Sequence, residues 1–238
     1  MPTALITGAS RGLGQALAYD LAARGWNLVV DGRDPETLAR ATTRLRRATT
    51  NDATVIAIPG DVSDERHRED LAMAVARRGR LDLLVNNAGT LGPSPLPDLT
   101  TAPLEAFRKV FEVNTLAPLG LIQRLLPLLT ESAGTIVNLS SDAAVEAYPG
   151  WGVYGASKAA LDHLTAILSE ERPDLRILTF DPGDMRTDMH QAAFPNEDIS
   201  DRPTPEEAVP ALLHLLESSP RSGRYRGADQ FVVTGGVL

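Results

Sequence analysis

The chain has 238 residues, of which 43% are hydrophobic, and this is enough for a large core. Its net charge of −8 predicts an acidic surface that repels nucleic acid and anionic membranes. It has no cysteine for disulfide or thiolate chemistry, and its four histidines lack metal-ligand spacing. With neither a signal-peptide pattern nor an apolar run of membrane-spanning length, we expect a cytoplasmic protein without a metal.

Short apolar runs alternate with longer amphipathic segments along the chain. The runs predict strands buried on both faces: Ala4–Ile6, Leu28–Val30, Thr54–Ile58, Leu83–Val85, Thr135–Leu139, Arg176–Phe180 and Gln230–Val233. The segments between them predict helices over about 12–24, 35–48, 64–78, 103–130, 152–171 and 205–218. Pro118 and Pro127 predict bends or breaks in the 103–130 helix. The alternation indicates one doubly wound α/β domain over 1–238, with a central parallel sheet of about seven strands between helical layers.

A glycine-rich turn follows the first predicted strand. It reads Thr7-Gly8-Ala9-Ser10-Arg11-Gly12-Leu13-Gly14 and leads directly into the first helix. Glycines permit close backbone approach, and a helix N-terminus offers free N–H groups to phosphates. The spacing is GxxxGxG rather than GxGxxG, and a glycine turn without a ligand is the alternative. The strand–turn–helix context favours a nucleotide site formed by Gly8, Ser10, Arg11, Gly12, Leu13 and Gly14.

Further motifs follow in order along the chain. They are Asp61-Val62, Asn86-Asn87-Ala88-Gly89, Asn114 within Val113-Asn114-Thr115, Ser141, Tyr154-Gly155-Ala156-Ser157-Lys158 and Pro182-Gly183. Together with the TGxxxGxG turn, this set resembles the short-chain dehydrogenases/reductases over essentially the whole chain. The resemblance implies a Rossmann-type NAD(P)-binding domain that moves a hydride between a nicotinamide and a carbonyl or alcohol carbon.

The resemblance also implies which further residues touch the cofactor. Asp61 and Val62 would lie near the adenine ring, and Asn87-Ala88-Gly89 beside the adenosine ribose. Thr187 would contact the nicotinamide carboxamide, although a helix cap is the alternative for this residue. The cofactor set is completed by Arg33, Tyr154, Lys158, Pro182 and Gly183.

The end of the second predicted strand bears on which nicotinamide cofactor is used. NAD-preferring relatives place an acid at the strand tip, where this chain has Gly32 followed by Arg33. A guanidinium can pair bidentately with the 2′-phosphate of NADP. Asp31 should face away from the ribose because adjacent strand residues point to opposite faces. We therefore predict NADP(H), with NAD(H) as the alternative if this register is shifted by one residue.

Tyr154 and Lys158 lie four residues apart on a predicted helix and therefore share a face. An ordinary phenol is a poor acid–base catalyst at neutral pH, and a neighbouring ammonium should lower its pKa. We assign Tyr154 as general acid in carbonyl reduction and general base in the reverse direction, with Lys158 also holding the nicotinamide ribose. Ser141 is assigned as a donor to the substrate oxygen. The resemblance implies that Asn114 holds a water molecule that links Lys158 to solvent.

The segment 184–203 is the longest irregular stretch and is predicted to be a substrate-binding loop. Met185, Met189, Phe194 and Trp151 favour an apolar pocket, although packing on the core is the alternative. Acids in the same loop argue against a strongly anionic substrate. His190 is the one histidine predicted to contact the substrate.

The expected function is an NADP(H)-dependent oxidoreductase acting on a small carbonyl compound or secondary alcohol, as a homodimer or homotetramer. One alternative is a catalytically silent NADP(H) sensor that regulates a partner, but the retained catalytic set argues against it. Another is epimerisation or dehydration of a nucleotide sugar, but relatives with that chemistry tend to have a larger C-terminal substrate region than the part that follows Pro182-Gly183 here. The chain departs from the resemblance at its C-terminus, where Thr234-Gly235-Gly236 replaces Asp-Gly-Gly and Arg221–Arg226 is unusually basic.

Overall fold

The computed structural model describes residues 1–231, and within them seven strands form one parallel sheet. The strands are β1 (Thr3–Ile6), β2 (Asn27–Gly32), β3 (Val55–Pro59), β4 (Leu83–Asn86), β5 (Thr135–Leu139), β6 (Arg176–Asp181) and β7 (Gly223–Arg226). Their order is β3-β2-β1-β4-β5-β6-β7. The strand order reverses between β1 and β4, where Leu5 pairs with both Val29 and Leu84. In such sheets ligands bind beside this reversal, at the carboxyl ends of the strands.

Helices cover both faces of the sheet. They are α1 (Gly12–Ala23), α2 (Pro35–Ala48), α3 (Glu65–Ala76), α4 (Leu104–Phe111), α5 (Ala117–Glu131), α6 (Gly152–Glu171), α7 (Asp188–Ala193) and α8 (Pro205–Ser218). Because strand side chains alternate between faces, Ile6 packs with α1 and α8 in one apolar layer, whereas Leu5 packs with α3 and α5 in the other. The predicted doubly wound, three-layer fold is confirmed. None of the described helices is long and apolar enough to cross a membrane.

The predicted 103–130 helix is divided in the structure. α4 ends at Phe111, a π-helical turn spans Glu112–Leu116, and α5 begins at Ala117. Pro118 follows this break and lies in the first turn of α5, where a proline is tolerated. No break occurs at Pro127, because α5 continues through it, and a bend there stays a prediction. Leu125 and Leu129, on either side of Pro127, are fully buried, and this packing supports the helix.

The predicted seventh strand was placed too late in the chain. β7 is the polar run Gly223–Arg226, and it pairs with β6 so that Arg224 lies opposite Thr179. Gln230, expected in the strand, lies instead in a short 3₁₀ turn over Gly227–Phe231. β7 is an edge strand and is only partly buried, so it lacks the apolar run that reveals a central strand. The remainder of the predicted strand and Thr234-Gly235-Gly236 lie outside the described residues.

Candidate active site

The glycine-rich turn forms a tight cradle at the carboxyl end of β1. Gly8 has φ +67°, and a Cβ there would lie 2.8 Å from Cα of Ala88. A Cβ on Gly14 would collide with the side-chain amide of Asn87. That amide donates hydrogen bonds to the carbonyls of Thr7 (2.8 Å) and Gly8 (3.1 Å). Asn87 therefore braces the turn, and both glycines are required by the space available.

Helix α1 presents a free N-terminus to the crevice beside this turn. The helix begins at Gly12, and its N-cap residue, Arg11, makes no side-chain capping bond. Across the crevice, the position of a Cβ on Gly12 lies 3.8 Å from Cγ2 of Thr187. Uncapped N–H groups and the positive end of the helix dipole suit a phosphate. The cradle and the helix end together fit the pyrophosphate of a dinucleotide.

Asp31 supports the glycine turn from beneath. Its side chain is 1% exposed and accepts a hydrogen bond from the backbone N–H of Gly8 at 2.6 Å. The other carboxylate oxygen lies 3.0 Å from Nε2 of His67. Burial raises the pKa of Asp31, although the bonds from His67 and Gly8 oppose this effect. Both carboxylate oxygens of Asp31 therefore bond to buried protein groups, in line with its predicted orientation away from the crevice.

The tip of β2 has no room for an acid but exposes a cation. A Cβ on Gly32 would lie 2.8 Å from Cβ of Ser10. Arg33 follows and is exposed. Asp61 lies at the same end of the sheet; burial alone would raise its pKa, but bonds from Ser63 and the charge of Arg33 lower it overall. The end of β2 therefore presents an exposed cation, Arg33, close enough to influence Asp61.

Two other predicted cofactor residues make contacts of their own. Arg11 forms an exposed ion pair with Asp188 across the crevice at 2.8 Å, and its charge also helps to lower the pKa of Asp34, just after β2. Thr187 caps α7, since its hydroxyl accepts from the backbone N–H of His190 at 3.2 Å. Thr187 also faces Gly12, so its cap role leaves it at the crevice.

Tyr154 and Lys158 project from the first two turns of α6 and are both buried, at 8% and 4% exposure. The Lys158 ammonium lies 5.7 Å from the centre of the Tyr154 ring. It donates a hydrogen bond to the Leu139 carbonyl at 2.7 Å, which ties α6 to the end of β5. Ser141 follows β5 and lies within hydrogen-bonding reach of the Tyr154 phenol. The structure thus brings Ser141, Tyr154 and Lys158 together.

Burial dominates the protonation of this cluster. It raises the pKa of Tyr154, and the charge of Asp181 adds to the increase, whereas the hydrogen bond with Ser141 opposes it. Burial also lowers the pKa of Lys158 to about 8. The expected lowering of the phenol pKa is therefore wrong for the protein alone, because desolvation and the charge of Asp181 raise it. The phenol is protonated, which is the form that donates a proton.

Ser141 and Asn114 are both committed to protein partners. The Ser141 hydroxyl donates to Asp142 Oδ1 at 2.9 Å and accepts from the Ala143 N–H at 3.2 Å. Asn114 is fully buried in the π-helical turn, a feature frequent at functional sites. Its side chain accepts from the Thr90 N–H at 2.8 Å and donates to Ser157 Oγ at 3.0 Å. Asn114 therefore joins the loop after β4 to α6.

A cavity of about 400 Å³ opens beside Ser141 and Tyr154. The segment 184–203 forms one wall and is not wholly irregular, since it contains α7. His190 lines the cavity, and its ring centre lies 4.9 Å from that of Phe194. The apolar part of the lining comprises Leu91, Trp151, Met185, Met189 and Phe194.

Four charged residues around this cluster were missed by the sequence reasoning: Asp142, Asp162, Asp181 and Arg224. Asp162 follows Lys158 by four residues, and this helical spacing could have placed it beside the catalytic face. Asp142 adjoins Ser141 in the sequence. Arg224 gives no such signal, because only the β6–β7 pairing brings it to the site.

Comparison with known proteins identifies the family. A family model described as short chain dehydrogenase matches residues 2–198. The chain belongs to this family. It is 32% identical to the uncharacterized oxidoreductase YciK of Escherichia coli K12 over 91% of this chain and 86% of that protein. It is 35% identical to sepiapterin reductase of Mus musculus over 79% and 76% of the two chains.

Solved structures agree with this assignment. An alcohol dehydrogenase from Thermococcus sibiricus, complexed with 5-hydroxy-NADP, superposes with a TM-score of 0.84 at 28% identity, covering 95% of each chain. A protein from Escherichia coli CFT073, complexed with NADPH, gives a TM-score of 0.86 at 30% identity, covering 95% of this chain and 96% of that one. The chain is therefore an NAD(P)-dependent short-chain dehydrogenase/reductase acting on CH–OH or C=O groups.

Proposed function

We propose that this dehydrogenase uses NADP(H) and interconverts a carbonyl group and a secondary alcohol in a small, mainly apolar substrate. The observation that carries the proposal is that Ser141 and Tyr154 meet at the wall of the cavity, with the Lys158 ammonium 5.7 Å from the centre of the Tyr154 ring. The segment 184–203 would bind the substrate within a single domain spanning 1–238. An apolar lining and the acids Asp142 and Asp184 favour a neutral over an anionic substrate.

The preference for NADP(H) rests on the tip of β2 and on relatives. Arg33 is free to meet a 2′-phosphate, and Ser10 leaves no space for an acid at Gly32. Structural relatives are complexed with NADP-type cofactors. The proposed contacts otherwise remain those predicted: Gly8, Ser10, Arg11, Gly12, Leu13, Gly14, Asp61, Val62, Asn87, Ala88, Gly89, Pro182, Gly183 and Thr187.

The nicotinamide supplies or accepts the hydride, and the protein handles the proton. Tyr154 donates its phenolic proton to the carbonyl oxygen in reduction, and its raised pKa keeps that proton available. Ser141 turns its hydroxyl from Asp142 to the same oxygen as negative charge develops there. Lys158 holds the nicotinamide ribose, and Asn114 fixes the loop and helix around it. The water assigned to Asn114 remains a prediction.

The experiment that tests this function follows NADPH oxidation with a panel of aliphatic and aromatic ketones and aldehydes. Tyr154→Phe removes only the hydroxyl and should lower kcat by about 10²- to 10⁴-fold while NADPH binding is retained. Tyr19→Phe is the matched control, since Tyr19 is 50% exposed on α1 and does not line the cavity. NADPH binding without turnover of any carbonyl would contradict the proposal and favour the regulatory alternative.

Assembly and location remain predictions of the sequence. We propose a homodimer or homotetramer, and light scattering on the purified chain would distinguish both from a monomer. Cytoplasmic location is proposed from the sequence pattern and would be checked by fractionation of the source cells.

A further inference from the structure

The basic run Arg221–Arg226 has no role in the proposed chemistry, yet one of its members reaches the catalytic cluster. Arg224 lies on β7, and its side chain is only 26% exposed. Its Nε donates to Asp162 Oδ2 at 3.1 Å. Its Nη2 donates to Asp181 Oδ2 at 3.0 Å and to the Ser141 carbonyl at 2.9 Å. One guanidinium therefore joins three chain segments.

Each partner of Arg224 belongs to a segment that carries part of the site. Asp162 lies one helical turn beyond Lys158 on α6. Asp181 ends β6, and its other carboxylate oxygen accepts from the Gly183 N–H at 3.0 Å, which shapes the Pro182-Gly183 turn. Ser141 carries the proposed donor to the substrate oxygen. Arg224 thus connects the helix, the turn and the serine loop at one point.

The two acids bonded to Arg224 are themselves buried. The side chains of Asp162 and Asp181 are 15% and 3% exposed. A buried carboxylate without a partner is costly, and a planar guanidinium can serve two acids at fixed angles. Arg226 also lies near Asp181, but at 4.0 Å and with an exposed side chain. The close compensation therefore comes from Arg224.

We propose that Arg224 is a positioning residue for the reaction, which fixes Ser141, α6 and the Pro182-Gly183 turn relative to one another and neutralises the acids behind Tyr154. The proposal rests on the proposed function. Arg224 acts through these partners and is not assigned a contact with the substrate.

The charges that face Tyr154 make this role measurable. Asp181, Asp142 and Asp162 all raise the pKa of the phenol, and Lys158 is the cation on the same helix. Loss of the guanidinium removes the hydrogen-bonded cation of Asp162 and Asp181 and leaves only Lys158 and the more distant Arg226 to offset them, so the phenolate becomes still less favourable. Alcohol oxidation needs the phenolate as base, and its pH profile should therefore move to higher pH.

The experiment compares Arg224→Met, Arg224→Lys and the control Arg221→Met, using a carbonyl and alcohol pair that the wild-type protein turns over. The Arg221 side chain is exposed and makes no hydrogen bond or ion pair with residues 1–231. We expect Arg224→Met to lower kcat about 10- to 100-fold and to move the oxidation profile upward by about one pH unit. Arg224→Lys keeps the charge and should lower kcat without that pH shift.

A second replacement separates electrostatics from general damage. Adding Asp162→Asn to Arg224→Met removes one uncompensated acid, so the pH profile should move part of the way back to that of the wild type. If Arg224 had only a structural role, the second replacement would not move the profile back. The Kd for NADPH is measured by fluorescence and rates are compared at saturating NADPH, so that a lower kcat does not reflect weaker cofactor binding at the Pro182-Gly183 turn. If Arg224→Met does not fold, Arg224→Lys carries the test through its lowered kcat.

Two results would overturn the inference. The first is a wild-type kcat and an unshifted profile in Arg224→Met, with only a lower melting temperature. The second is wild-type kcat in a folded Arg224→Lys. An inactive wild-type protein is a different outcome: it removes the proposed function, and this inference with it, before any variant is compared.

Discussion

Arg33 is expected to decide between NADPH and NADH. It is exposed after β2, and its side chain makes no hydrogen bond or ion pair with residues 1–231. Arg33→Ala therefore breaks no bond of the fold, and any change in affinity reports on the cofactor. NADH lacks the 2′-phosphate, so it provides an internal reference within each protein.

The size of the effect follows from the type of contact. A hydrogen bond to a charged group contributes about 1.5–3 kcal/mol, which corresponds to about a 10- to 150-fold change in Kd. We expect Arg33→Ala to weaken NADPH binding by that factor and to change NADH binding by less than about twofold. The site is exposed, so the difference should shrink at about 1 M salt, where the Debye length falls to about 3 Å.

The assay is a fluorescence titration of the wild-type protein, Arg33→Ala and Arg47→Ala with each cofactor. Arg47 is an exposed arginine near the far end of α2 and serves as the matched control. Equal loss of NADPH and NADH in Arg33→Ala would refute the reasoning, as would wild-type protein that binds NADH ten times more tightly than NADPH.

Three further outcomes are expected. Gly14→Ala should weaken NADPH and NADH equally in the same titration, because its Cβ displaces the Asn87 amide that braces the cradle; a selective loss would contradict this. Lys158→Met should raise the melting temperature at pH 7. Its difference from the wild type should disappear between about pH 8 and pH 10.5, because the unfolded wild-type chain binds more protons there and wild-type stability therefore rises with pH. A lower melting temperature of the variant at pH 7 would contradict this. Phe180→Ala should cost about 3–5 kcal/mol in urea unfolding, because Phe180 is fully buried, against less than about 0.5 kcal/mol for the exposed Met73→Ala.

The central part of the fold could be predicted because each buried strand is an apolar run that needs no tertiary information. Leu83–Val85 and Thr135–Leu139 were placed almost to the residue. β7 could not be found this way, since it is a polar edge strand stabilised by pairing with β6. The continuity of α5 at Pro127 could not be predicted for a related reason, because packing against the sheet keeps the helix intact there.

The site residues could be predicted from spacing, but their electrostatics could not. The spacing of four residues from Tyr154 to Lys158 places both on one helix face, whatever the rest of the chain does. The pKa of the phenol depends instead on burial and on Asp181, which joins the site only through the sheet. The prediction considered only Lys158 and left out the burial and the acids that raise this pKa.

Burial raises the pKa of Tyr154 and lowers the pKa of Lys158 to about 8, so at neutral pH the phenol carries its proton and Lys158 is still largely a cation. In carbonyl reduction the phenol gives up a proton that it already carries. Oxidation of an alcohol requires the phenolate, which burial opposes, so positive charge must offset Asp162 and Asp181 before the phenol can ionise. In the described chain Arg224 bonds to both acids, and it does so from the edge strand farthest from β3. The basic run that departs from the family pattern is therefore joined directly to the part of the site that the family pattern defines.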